Sequence, residues 1–152
     1  MSRTKAGWLG VLLVVAAAAC HTEPVGVAAP ALAPARLAGD FDARAALLTA
    51  AQDPRMRVDV ISQDGQFRFN LGSGRFSSQL VVPGRTDVLR SGAAVIVGDR
   101  LLLTDDGSVA SRSIPFTFDA GVLRFTDPTF AFDFNNVGLS LPAVLTAELV
   151  RR

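Results

Sequence analysis

Tyrosine is absent from the 152-residue chain, and cysteine, histidine and tryptophan occur once each. A single thiol cannot close an intramolecular disulfide or build a thiolate zinc site. A single imidazole leaves most histidine-based catalysis and metal binding without partners. An excess of one charge is missing too, since 15 basic residues face 14 acidic ones. Such a balance offers no clustered basic face of the kind that tracks nucleic acid. Lysine occurs only at Lys5, so every later cation is an arginine. The apolar run from Gly7 to Ala19 is about 13 residues, short of the roughly 20 that a membrane-spanning helix needs. The length suits one ordinary domain and a tail.

What the N-terminus does contain reads as an export signal. Arg3 and Lys5 form a basic start, Trp8 to Val15 an apolar stretch, and Ala16 to Ala19 the small residues that precede cleavage. Ala17-Ala18-Ala19-Cys20 resembles the lipobox of bacterial lipoproteins, whose cysteine becomes the lipidated first residue of the mature chain. Ala17 stands where that pattern prefers leucine. The same alanines fit ordinary Ala-x-Ala cleavage, which would give a secreted protein. The lipobox resemblance implies a signal at residues 1–19, a lipid anchor on Cys20 and a place in the bacterial cell envelope. His21, rather than Asp, after the cysteine points to the outer membrane, facing the periplasm or the surface. Without the signal, 13 basic residues remain against 14 acidic ones, a net charge near −1.

Residues 20–36 read as a tether: Pro24, Pro30 and Pro34 among alanines and valines favour an extended linker and supply no core. The only histidine lies there, so the domain at residues 37–152 has neither His nor Cys. All ten phenylalanines fall in that domain, mostly in alternating pairs such as Phe67/Phe69, Phe116/Phe118 and Phe130/Phe132/Phe134. Alternation of period two places such residues on one face of a strand. Turn signals at Asp64-Gly65, Ser73-Gly74, Pro83-Gly84, Gly98-Asp99, Asp106-Gly107, Ala120-Gly121 and Asp127-Pro128 recur at the spacing of an antiparallel sandwich or barrel. Strands are expected near Arg57–Ile61, Gln66–Leu71, Phe76–Val82, Ala93–Val97, Arg100–Thr104, Ile114–Phe118, Val122–Phe125, Phe130–Phe134 and Ala143–Val150. Asp42–Gln52 fits either a helix, on propensity, or a leading strand with Phe41, Ala43 and Ala45 inward. The charged stretch between Val82 and Gly92 lacks alternation and is expected to be a loop.

Taken together, Gly39-Asp40-Phe41, the hairpin SQDGQFRFNLGSGRFSSQLVVPG, the pair SGAAVIVGDRLLLTDDG and the closing PAVLTAELVRR resemble the lipocalin-like domain of small bacterial lipoproteins. Phe41 takes the place of the more usual Trp. The resemblance spans about Leu37 to Arg152 and implies an all-β fold, an antiparallel up-and-down meander of roughly eight to ten strands forming a small lipocalin-like β-barrel. An immunoglobulin-like β-sandwich is the alternative. The resemblance carries no functional residues with it.

Candidate chemistry is sparse. Asp105-Asp106-Gly107 has a turn's composition and lacks the bidentate Glu of a calcium loop. Asp127 and Asp133 could form a carboxylate pair, but Asp133 alternates with Phe132 and Phe134 and so belongs on the opposite, solvated face. Arg68 and Arg124 could clamp a carboxylate, yet read more simply as outer-face arginines. Ser77 and Ser78 have no histidine to activate them, and Gly72-Ser73-Gly74 lacks the rest of a phosphate loop. The chain is therefore expected to be non-catalytic, without cofactor, metal or nucleic acid. One role is binding a small hydrophobic ligand in or at the mouth of the barrel, lined by Phe67, Phe69, Phe116, Phe118, Phe130 and Phe132. The other is an envelope scaffold or interaction module with a filled core, whose loops at Val82–Gly92 and Asp105–Ser113 meet a protein partner.

Overall fold

A computed structural model describes residues 34–152. The signal, Cys20 and most of the tether lie outside the described residues. Pro34–Leu37 form one helical turn, α1. Proline is at home in the first turn of a helix, where its missing N–H is not needed, so the tether's last three residues are not extended. Nine strands follow: β1 (Gly39–Ala50), β2 (Arg57–Asp59), β3 (Gln66–Gly72), β4 (Arg75–Val81), β5 (Val88–Val97), β6 (Arg100–Asp105), β7 (Ser111–Asp119), β8 (Val122–Phe132) and β9 (Leu141–Arg151).

Each strand from β3 to β8 pairs antiparallel with the next, and β1 pairs with both β3 and β9. The sheet thus closes into an eight-stranded up-and-down barrel, lipocalin-like rather than a two-sheet sandwich. The short β2 is an extra strand on the upper part of β1, on the same side as β3. Between them the chain leaves the wall in a 3-10 turn at Ile61–Gln63 and returns at Gly65. A side chain there would sit 2.5 Å from the Val81 carbonyl oxygen, so only glycine fits.

Asp42–Gln52 resolves as strand up to Ala50, but with a shift of phase. Phe41 is buried, a bulge falls between Ala43 and Ala45, and beyond it Ala46, Leu48 and Ala50 face inward while Ala45 faces out. The expected loop at Val82–Gly92 is shorter, because β5 begins at Val88; Asp105–Ser113 shrinks likewise, because β7 begins at Ser111. The expected strands Val122–Phe125 and Phe130–Phe134 are one strand, β8. Its register against β9 shifts between Asp127 and Phe130, and Pro128 sits in that bulge, where its missing donor is tolerated.

The barrel has two unlike ends. At one, β3–β4, β5–β6 and β7–β8 are joined by the two-residue turns Ser73-Gly74, Gly98-Asp99 and Ala120-Gly121. Positive φ at both residues of the first and last matches the twist of a tight hairpin. The chain enters at this end, which Leu37, fully buried, plugs beside Phe41. Arg151 crosses the same end, donating to the Arg36 carbonyl, its guanidinium 5.4 Å from the rings of Phe41 and Phe118. The opposite end carries the longer connections 51–56, 82–87, 106–110 and 133–140. Arg85 donates from one of these to the Asp133 carbonyl at 2.5 Å and lies 5.3 Å from the Phe132 ring, while Asn136 donates to the Gly84 carbonyl.

Candidate functional site

All six phenylalanines expected to line a ligand site point inward. Five are buried and Phe118 is half-buried. Four of them meet other rings: Phe67 packs edge-on to Phe125 at 6.2 Å, Phe69 lies 5.5 Å from Phe125 and 6.3 Å from Phe76, and Phe118 packs edge-on to Phe41 and Phe132 to Phe134. Phe130 lies under Arg90, and Phe116 borders a hollow on the outer face. The interior void bordered by Phe67, Phe69, Phe125 and Phe130 measures about 10 Å³. Pockets that take a drug-sized ligand run to roughly 300 Å³ or more.

One wall of that void is charged. Asp127 is the only charged residue among the described residues that is buried outright, at 3 % exposure. Its Oδ2 lies 3.3 Å from Nε of Arg112 and 3.8 Å from Nη1 of Arg90. Both arginines also donate at 2.5 Å to Oδ2 of Asp105. Arg90, Asp105, Arg112 and Asp127 come from β5, β6, β7 and β8 in turn, so they form a closed ring of alternating charge spanning four strands. The guanidiniums rest on aromatic faces, Arg90 5.5 Å from the Phe130 ring and Arg112 5.2 Å from Phe76. Asp127 Oδ1 accepts from the backbone and hydroxyl of Thr129, which fixes the β8 bulge. Two buried atoms lack hydrogen bonds: Oδ1 of Asp105, and Nε of Arg112, which is near enough to Asp127 for attraction without a hydrogen bond.

Gly92 makes the ring possible. It faces Asp105 across the β5–β6 ladder, and a Cβ there would lie 1.9 Å from the Thr104 carbonyl oxygen. The strands can approach closely only because that side chain is missing.

Sequence reasoning named Asp105 as a turn residue and Asp127 as half of a carboxylate pair, and missed Arg90 and Arg112. The signal lay in the parity of the strands. Arg112 shares its face with Ile114 and Phe116, Asp105 with Leu101 and Leu103, Asp127 with Leu123 and Phe125, and Arg90 with Ala94. Each charge extends an apolar alternation by one or two steps, and the charges balance. Asp133 is half-buried beyond the end of β8, where its carboxylate accepts from the Asn135 and Gly138 amides. Arg68 and Arg124 lie on the outer face near Asp42 and Glu148. Ser77 is exposed, whereas Ser78 borders the interior void. Among the described residues no group of three His, Cys, Asp or Glu is placed to hold a metal ion.

Burial opposes ionisation of Asp105, but hydrogen bonds from Arg112 and Arg90 and their charges outweigh it, so its carboxyl is held below the usual range. Hydrogen bonds from Ser91 and Arg75 lower Asp106, and Arg124 with Arg44 lowers Glu148. For Asp133 desolvation is overcome by loop amides, Gly138 foremost. Carboxyls depressed in the folded state contribute stability above their unfolded values, near 4, and lose it as pH falls through the folded ones. The urea midpoint is therefore expected to hold between pH 7 and about 5 and to drop progressively below about 4. A midpoint unchanged from pH 5 to 2.5 would contradict this assignment.

The larger hollows are outside. One, of about 590 Å³, crosses β1, β9, β8 and β7 and is bordered by Ala45, Leu47, Pro115, Thr126 and Thr146. Another, of about 430 Å³, crosses β1, β3, β4 and β5 over a polar face that includes Asn70, Ser77 and Gln79. No family model, curated protein or solved structure matches the chain.

Proposed function

We propose that this is a non-catalytic envelope lipoprotein, held to a membrane through lipid on Cys20, whose solid barrel presents its outer face and long loops to a protein partner. The observation that carries the choice is the void bordered by Phe67, Phe69, Phe125 and Phe130, of about 10 Å³. Rings fill the space that a ligand would need. The anchor rests on the lipobox resemblance, and the outer membrane on His21.

Native mass spectrometry of the mature full-length protein, before and after organic extraction, tests the choice. The expected result is the polypeptide plus its N-terminal acyl groups and nothing else. A discrete further mass that extraction removes would overturn the filled-core reading in favour of a small hydrophobic ligand among Phe67, Phe69, Phe116, Phe118, Phe130 and Phe132. The anchor is tested separately: Cys20→Ser should move the protein from the membrane to the soluble fraction.

A further inference from the structure

Two ladders of the barrel wall are short, β1–β3 and β7–β8; beyond the first, β2 pairs with the freed edge of β1, while beyond the second no further strand among the described residues pairs. β7 and β8 pair only from Phe116–Phe125 to Asp119–Val122, although β7 reaches back to Ser111 and β8 on to Phe132. Over Ser111–Pro115 the partner of β7 is β6, and over Thr126–Phe132 the partner of β8 is β9. Continuing the register would set Pro115 against Thr126 and Ser113 against Pro128. Neither proline has an N–H to give, so the ladder stops where Pro115 would have to donate.

Side chains span the seam instead. Arg112 on β7 reaches Asp127 on β8, and Arg90 and Asp105 hold this pair from β5 and β6. The prolines that end the ladder also deny donors to a foreign strand, so the seam is a poor place for another chain to add. Meanwhile the turn end is plugged by Leu37 and the loop end is tied across by Arg85 and Asn136.

We propose that the β7–β8 seam is a side gate in the barrel wall and that the four-residue charge ring is its latch. When the ring parts, the upper halves of β7 and β8 swing apart and fray from β6 and β9, while the β3–β4 and β4–β5 ladders across the barrel stay paired. The interior then meets solvent beside Phe125 and Phe130, through the wall rather than through either end.

Native-state hydrogen exchange on the mature full-length chain tests this. Amides in 111–114 and 126–132 are expected to open at least tenfold more often than those of β3 and β4. Arg112→Lys keeps the cation but loses the planar fork. It should speed opening at those two segments at least a further tenfold while leaving β3 and β4 changed only by its effect on global stability. Seam amides that exchange no faster than β3 and β4 would overturn the gate. A seam that opens early but is no faster in Arg112→Lys would overturn the latch, as would a uniform acceleration of all strands. If the variant fails to fold, the wild-type pattern still decides whether the gate exists.

Discussion

Asp127→Ala is expected to cost about 3–5 kcal/mol of folding stability, the range for breaking a buried ion pair by removing one partner. The loss has two parts. Arg112 has a side chain only 10 % exposed, and without Asp127 its charge leans on Asp105 alone, which already serves Arg90. The β8 bulge also loses the acceptor that holds Thr129. Denaturant unfolding measures the effect, and a paired change separates charge from packing. Asp127→Leu together with Arg112→Met should recover most of the loss, because apolar residues of similar volume commonly replace a buried pair at little cost. A single substitution that costs under 1 kcal/mol would mean that the ring contributes little to holding the wall together.

Phe69→Ala should be comparably damaging, at about 3–5 kcal/mol, from lost burial and from the hole left between Phe76 and Phe125. It also changes what the barrel can bind. The hole would be lined mainly by the rings of Phe67, Phe76 and Phe125, with the charge ring on one side, and a ring-lined cavity of this size takes up benzene. The variant should therefore bind benzene in a saturable way, seen as a benzene-dependent rise in melting temperature, and the wild type should not. Benzene stabilisation of the wild type would mean that its interior has more room than the ring contacts allow.

Most of the fold was legible from alternation and turns. The Phe67/Phe69 and Phe116/Phe118 pairs fall on inward faces, and Ser73-Gly74 and Ala120-Gly121 are the tight turns their composition announces. Closure into a barrel was carried by family resemblance, because alternation is the same in a sandwich. Asp42–Gln52 was ambiguous for a physical reason: the bulge at Ala43/Ala45 shifts the phase midway, so no single period fits the segment. The starts of β5 and β7 were hidden because charge was read as a mark of loops. Arg90 and Arg112 point inward, and each is tolerable there only beside carboxylates contributed by other strands. Strand pairing, which no local pattern encodes, brings the four together.

The unlike ends of the barrel decide how it would bear tension. With Cys20 anchored as proposed and a partner gripping the loops, a pull would run from Gly39 along the strands to the far end. Antiparallel hydrogen bonds lie across the strands, so such a pull shears the long β1–β9 ladder, from Phe41–Arg151 to Ala50–Ala143, all at once. A pull on both strands from the same end would instead peel them apart one bond at a time. The chain leaves the barrel on the side from which its longest seams resist stretching best.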